Sequence, residues 1–522
     1  MRLARPARTL KLVRLLAVAL FALGGTGPAP LRADEMPSVE ELVARNQTAS
    51  GLERRPSSEI EEWRVTIADL EGTVRIVHHE RDTVTTTMLG PFTYARGVAG
   101  GQAWHQNENG ETVLEKPQPS QTERVLARSV ERVHEPLDAY VVRSEFASGH
   151  VTRTFYDPVS YLVVRYERLA SGHTAVTTYD DFRTDGRGRT RAWHYTGGDE
   201  RNASSYDYRL VRDEAAPAAE TAALTVPPDR RTLVEFPAGR TSVRLPARIV
   251  RGRIYVRLDI GGRGLDFLFD SGASQMTISP SIVRELGLTV YGRQAQTVAG
   301  NFETGRVIVP QIGIGPLVMH DAVMRTAPFD EREASDTRVV GLLGFDFIDG
   351  AAIRIDYEEG TVDAIARGAF VPDPDATAVD VRLNGQVPVG TATLGDAPAN
   401  DVILDTGGEG AFIVFQRFAR VHAAQVGKPT GRPGLAAGVG GTFRTAPVTL
   451  AHLALGGWDL SDVSGLLVLG ATAFGHDDDD ALLGAGVLSL FTVTFDYADS
   501  RVYLKPNARF PAAGPSTARA GS

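Results

Sequence analysis

The sequence predicts a mainly β protein of two unlike halves: an antiparallel sheet domain, followed by a β-rich lobe present twice in tandem. Three observations predict it. Stretches between Glu35 and Asp213 alternate apolar and polar residues, as in Trp63-Arg-Val-Thr-Ile67, Thr73-Val-Arg-Ile-Val77, Tyr161-Leu-Val-Val-Arg-Tyr166 and Thr174-Ala-Val-Thr-Thr-Tyr179, which is the period of antiparallel strands with one wet face. Beyond Arg248 a series of landmarks recurs in one order, the signature of a duplicated unit. Finally, 522 residues with 43% apolar composition exceed what one hydrophobic core usually organises, while 23% charged residues is too ordinary for a collagen, a coiled coil or a disordered chain.

The first 33 residues carry Arg2, Arg5, Arg8, Lys11, Arg14 and Arg32, no acidic residue, and an apolar run from Leu15 to Leu23. Gly24, Gly25 and nearby prolines end that run before it reaches spanning length, and Leu31-Arg32-Ala33 offers a small residue for a signal peptidase. Residues 1–33 therefore read as an export signal peptide rather than an uncleaved anchor, and the mature chain is expected in the periplasm or outside the cell, without a transmembrane anchor. Zero cysteines fit an oxidising compartment and exclude disulfides, thiolate metal sites and a cysteine nucleophile. A net charge of −9 is the wrong sign for wrapping phosphate backbones, so no nucleic-acid partner is expected.

Residues 34–213 form the amino-terminal sheet domain, introduced by a helical stretch from Val39 to Arg45. The Ala- and Pro-rich stretch 214–228 reads as a flexible linker. Residues 229–372 and 373–506 are the two lobes, and 507–522 a flexible tail rich in Ala, Gly and Pro. The duplication is read from four landmarks. Asp270-Ser271-Gly272 follows the apolar run Leu265 to Phe269, and Asp405-Thr406-Gly407 follows Val402-Ile403-Leu404. Val298-Ala-Gly-Asn-Phe302 corresponds to Val439-Gly-Gly-Thr-Phe443, and Ile312-Gly-Ile-Gly315 to Leu453-Ala-Leu-Gly456, both at an offset of 141. Leu342-Leu343-Gly344 precedes Ile355-Asp356-Tyr357 as Leu482-Leu483-Gly484 precedes Phe495-Asp496-Tyr497. Short helices are expected after each triplet, at Ser279 to Leu286 and Phe415 to His422.

One Asp-Ser/Thr-Gly triplet is a weak signal. Two of them, each after an apolar strand and each a similar distance before a Leu-Leu-Gly, resemble the aspartic proteases, both the two-lobed pepsin type and the retropepsin type, over about Arg248 to Pro506. The resemblance implies a bilobal double β-barrel in which each Leu-Leu-Gly threads beneath an Asp loop. It implies Asp270 and Asp405 as catalytic residues, with Ser271 and Thr406 bracing the opposite loops and Gly272 and Gly407 giving the backbone close access to the carboxylates. It also implies flaps at Ala299 and Gly300 and at Gly440 and Gly441. Neither flap holds the tyrosine typical of pepsins, which favours the retropepsin-like branch joined into one chain.

The chemistry can be argued without the family. Two carboxyls about 3 Å apart cannot both ionise readily, so the pair keeps one proton and supplies a general base and a general acid to one water. Such a site hydrolyses peptide bonds with no metal or organic cofactor, and the expected partner is a polypeptide substrate. Ala273 and Gly408, the next residues, offer no hydroxyl to stabilise the ionised pair, which points to an optimum from mildly acidic to near neutral. The alternative is a catalytically inactive, protease-like carrier that grips a polypeptide or lipoprotein. Asp477 to Asp480 read as a solvated loop rather than a cation site, because consecutive acids repel and no ligand spacing is visible.

In the first half, Gly100-Gly-Gln-Ala-Trp104, Tyr156-Asp-Pro-Val-Ser-Tyr161 and Tyr179-Asp-Asp-Phe-Arg183 resemble periplasmic lipoprotein-carrier proteins over Met36 to Arg212. That resemblance implies an antiparallel half-barrel open to a lipid or lipoprotein. A docking module or a removable propeptide are the other readings of this half.

Overall fold

The computed structural model describes residues 36–115, 124–147, 149–170, 173–199, 205–329, 338–383, 386–470, 474 and 479–511. The expected signal peptide, residues 512–522 of the tail, and Asp477 and Asp478 of the acidic run lie outside the described residues.

The alternating segments of the first half form one antiparallel sheet of 13 strands. It is made of two meanders. One steps from Ser58–Ile67 out to the edge strand Thr112–Glu115, and the other from the opposite edge strand Val125–Val133 back to Ser205–Ala215. The first and last strands pair at the centre, Glu59 opposite Ala215 and Ile67 opposite Tyr206, so the domain's two ends emerge together. Trp63, Val65, Ile67, Tyr195, Tyr208 and Leu210 are buried on one another, with Tyr195 stacked on Tyr208 at 4.7 Å between ring centres. These side chains form a packed cluster over the central strands of the sheet. The opening helix is longer than expected, Val39–Ser50, capped by the Ser38 hydroxyl, which accepts from the Glu41 N–H at 3.1 Å, and stopped by Gly51 in the left-handed region.

The stretch expected as a flexible linker is seated. A short helix, Ala218–Ala222, follows the last strand, Glu220 pairs with Arg75 at 2.8 Å, and the Pro228 carbonyl accepts from Gln106 Nε2 at 2.9 Å. Proline-rich composition favours extended backbone, but it does not prevent carbonyls and neighbouring side chains from being used.

The second half is two closed six-stranded barrels. The first runs through Arg253–Ile260, Arg263–Phe269, Val339–Leu343, Thr277–Ile278, Leu317–Thr326 and Asn301–Ile314, and closes where Asp259 pairs with Gly313. The second repeats that order with Pro388–Leu394, Ala397–Leu404, Ala481–Leu483, Phe412–Val414, Trp458–Val468 and Gly441–Leu455, closing through Leu394 and Leu453. A further six-stranded sheet joins the lobes, with Ala351–Asp356 against Phe491–Asp496 at its centre. Ile353 lies opposite Phe495 and Ile355 opposite Val493, and the repeat offset carries one pair onto the other, which places a pseudo-twofold axis between these strands. The short helices follow each triplet as read, at Pro280–Glu285 and Gln416–Val421. At the carboxyl end, Phe510 packs against Trp458 and Phe491, so the ordered lobe continues past the expected start of the tail.

Candidate active site

Each triplet sits where a barrel strand ends against a Leu-Leu-Gly segment. Phe269 pairs in parallel with Leu343, and the Asp270 N–H donates to the Leu343 carbonyl at 3.1 Å; Leu404 pairs with Leu483, and the Asp405 N–H donates to the Leu483 carbonyl at 2.8 Å. Both loops are thus hung from buried core strands and directed at the pseudo-twofold axis.

The next residue of each triplet braces the opposite loop. Ser271 N–H donates to Thr406 Oγ1 at 3.0 Å while the Ser271 hydroxyl donates to the Leu404 carbonyl at 2.8 Å. Reciprocally, Thr406 N–H donates to Ser271 Oγ at 3.0 Å, and the Thr406 hydroxyl donates to the Phe269 carbonyl at 3.1 Å. All four partners are backbone groups or hydroxyls with no access to solvent, so each bond would be costly to leave unmade. The glycines admit the carboxylates. A Cβ on Gly272 would lie 2.6 Å from the Asp405 carboxyl carbon, and one on Gly407 would lie 2.6 Å from that of Asp270.

The two aspartates therefore face each other, each within hydrogen-bonding reach of the other's carboxyl. Burial, followed by the neighbouring Asp270 carboxylate, pushes Asp405 up to about 7, against one opposing hydrogen bond from the Gly407 N–H at 2.8 Å. Each aspartate keeps 8% of its surface exposed. Ala273 is fully buried and apolar, and no side-chain hydroxyl follows at Gly408.

The segments expected as flaps are hairpin tips that meet each other. Val298–Gly300 joins Tyr291–Thr297 to Asn301–Ile314, and Val439–Gly440 joins Gly434–Gly438 to Gly441–Leu455. The Ala299 N–H donates to the Val439 carbonyl at 3.1 Å, and a Cβ on Gly300 would collide with the Gly440 carbonyl oxygen. Gly440 has φ +79°, a conformation that favours glycine. Gly441 is equally tight, since a Cβ there would stand 2.8 Å from the Ala299 carbonyl oxygen. The tips cross over. Val439 rests on an apolar cluster of the first lobe that includes Tyr255, Leu268, Ala273 and Leu342, whereas Ala299 rests on a cluster of the second lobe that includes Val387, Ile403, Phe415 and Leu482.

Several residues of the site's surroundings escaped sequence reading. Tyr357 and Tyr497, quoted only as repeat landmarks, are buried with unpartnered hydroxyls and have their ionisation pushed up, by burial first and then by the nearby aspartates, Asp405 for Tyr357 and Asp349, Asp270 and Asp405 for Tyr497. The repeat itself was the signal that could have found them. Asp346, behind the Asp270 loop, accepts from the Met276 N–H at 2.8 Å and is 1% exposed. The acidic run is corrected too. Asp479 and Asp480 are buried, and Asp480 Oδ2 accepts from the Asn400 N–H at 2.9 Å; burial outweighs that bond and holds the Asp480 carboxyl above the usual carboxylate range.

Comparisons agree with the resemblance drawn from the triplets. Residues 256–347, which contain Asp270 and its Leu-Leu-Gly, match the aspartyl protease family model. Among solved structures, the aspartic proteinase from Irpex lacteus is similar at 14% identity over 52% of this chain and 99% of that chain, with a TM-score of 0.35. Basic 7S globulin from soybean is similar at 13% identity over 52% of this chain and 95% of that chain, with a TM-score of 0.31. No curated protein matches the chain.

Proposed function

We propose that this chain is an exported aspartic-type endopeptidase in which Asp270 and Asp405 hydrolyse peptide bonds through one shared water. The observation that carries the reading is the reciprocal brace: Ser271 and Thr406 lock two loops 135 positions apart so that each carboxyl abuts the other's glycine. An acid kept partly protonated beside an ionised one is a general acid–base pair. In the proposed reaction the ionised carboxylate takes a proton from water as its oxygen attacks the scissile carbonyl carbon, and the protonated partner donates to the carbonyl oxygen. The tetrahedral intermediate then collapses: the amide nitrogen takes the water-derived proton from one carboxyl, the other carboxylate takes a proton from a hydroxyl of the intermediate, and the C–N bond breaks to give a carboxylic acid and an amine with one proton again on the pair.

An extended polypeptide would lie between the dyad and the hairpin tips, which must lift to admit it. The two apolar clusters under Ala299 and Val439 would then receive substrate side chains. Because the pair needs one proton, activity should fall as pH rises through about 7. The test is the full-length chain incubated with unfolded casein, beside Asp270→Asn and Asp405→Asn. Cleavage by the wild type alone is expected; cleavage surviving in either variant overturns the reading, and intact casein that is nonetheless bound returns the inactive, polypeptide-gripping alternative.

A further inference from the structure

The tip of the amino-terminal hairpin between Gln102–Gln106 and Thr112–Glu115 is both polar and buried. Asn107, Asn109 and Glu111 are exposed by 4%, 2% and 2%. The sequence Asn-Glu-Asn-Gly-Glu suits a solvated turn, so burying it requires partners elsewhere, and the first lobe provides them. Asn109 Nδ2 donates to Asp346 Oδ1 at 3.0 Å and to the Val323 carbonyl at 3.2 Å, while Asn109 Oδ1 accepts from the Val323 N–H at 2.8 Å. Asn107 Nδ2 reaches the same Asp346 oxygen at 3.4 Å. Glu108 accepts from Arg306 Nε at 3.1 Å and from Gln275 Nε2 at 3.3 Å. Arg231, at the start of the lobe, binds the Asn109 carbonyl at 2.7 Å, and the Arg230 N–H donates to the Gly110 carbonyl at 2.8 Å.

The lobe is built to receive this turn. Arg306 and Arg325 face each other across neighbouring strands, and like charges so placed repel. Burial, and next the Arg306 charge, holds Arg325 down to about 9. Glu108 stays below the usual carboxylate range although burial pushes it up, because Arg306 and Arg325 outweigh that burial. Val113, two residues beyond the tip, belongs to the same apolar core as the lobe's Leu233 and Val234. On its far side Asp346 holds the Met276 N–H, in the loop that starts at Asp270, and Gln275 of that loop accepts from Arg325 Nε at 3.0 Å.

We propose that the hairpin tip Asn107–Glu111 is a permanent part of the first lobe and that Asn109 and Asp346 are positioning residues, which set the Asp270 loop from behind. The amino-terminal domain is then a working component that cutting the connector does not release. The docking stands on contacts alone, whereas the effect on turnover rests on the endopeptidase reading, and the experiment separates the two.

A recognition site for a sequence-specific protease is placed within residues 222–226 of the full-length chain, and the connector is cut. The two pieces are expected to co-elute in native gel filtration and to part only in denaturant; parting in native buffer overturns the docking. Asn109→Ala and Asp346→Asn are then compared with wild type by hydrogen exchange of residues 270–278. At least tenfold faster exchange there is expected, with the central strand Phe491–Asp496 unchanged; wild-type exchange in both variants overturns the positioning role. With casein or a peptide substrate, kcat is expected to drop about tenfold at unchanged KM, and a rise in KM alone contradicts the role. Wild-type inactivity would end the endopeptidase reading while leaving co-elution and exchange to judge the docking. Arg75→Ala, which removes the connector's ion pair with Glu220 outside the hairpin, is expected to change none of these readouts.

Discussion

In the first lobe the loop after the aspartate is held from behind by a side chain, Asp346, and at the matching place in the second it is held by backbone. At the place of Asp346 the second lobe has Gly486, whose N–H donates to the Gly410 carbonyl at 3.1 Å, and a Cβ there would stand 2.7 Å from the Ala411 nitrogen. The strands behind differ in the same sense. Where the first lobe pairs Arg306 with Arg325, the second pairs Pro447 with Leu466. The parts that face the pseudo-twofold axis agree between lobes: the triplet, the Leu-Leu-Gly, the hairpin tips and the central strands. At Asp346, Arg306 and Arg325 the lobes diverge, and there the amino-terminal hairpin enters. A duplicated fold thus keeps its symmetry where two halves must meet and gives it up where a third element docks.

The largest expected effect tests the symmetric part. Asp270→Asn and Asp405→Asn should each lower kcat by about a hundredfold to ten-thousandfold, the range of acid–base catalysis, with native circular dichroism. A large loss in one variant only would break the comparison at its centre. Next comes the asymmetric part. Glu108→Ala leaves Arg306 and Arg325 buried without their shared anion and should destabilise the chain by about 3–5 kcal/mol in urea unfolding. Replacing Glu108, Arg306 and Arg325 together by Leu, which gives the first lobe an apolar pair like that of the second, should recover most of that loss.

Asp349 sharpens the contrast further, since the second lobe has Ser489 at its place. Both Asp349 oxygens are buried without hydrogen-bond partners, and burial pushes the group up to about 7. Its unfolded value is 3.8, so the unfolded chain releases this proton first and stability is lost as pH rises from about 4 to about 7. Asp349→Asn should therefore stabilise the chain by roughly 2–4 kcal/mol at pH 8 and by little at pH 4. The smallest effect returns to the brace. Ser271→Ala and Thr406→Ala should each cost about 1–3 kcal/mol, and the two costs should be similar because the bonds they remove are equivalent.

What the sequence made legible was whatever repeats or alternates. The triplets, the Leu-Leu-Gly segments, the short helices after them and the strands of the first half are local patterns, and duplication doubled the evidence for half of them. The docking of the hairpin was not legible. Asn109 and Asp346 are 237 residues apart, and Asn-Glu-Asn-Gly reads as an exposed turn until something is known to cover it. Asp479 and Asp480 misled for the same reason, since a run of acids carries no mark of the backbone groups it will bind. The joining sheet was half visible, because its central strands lead into Tyr357 and Tyr497, but nothing local says that Ile353 will pair with Phe495.

The claim on which the rest depends is that two carboxyls share one proton across the axis. The direct measurement is the pH profile of kcat/KM for peptide cleavage by the full-length chain. The account predicts a descending limb near pH 7, following loss of the single proton that Asp405 and Asp270 hold between them. A profile that stays flat from pH 5 to pH 9, or hydrolysis that persists in Asp405→Asn, would contradict it.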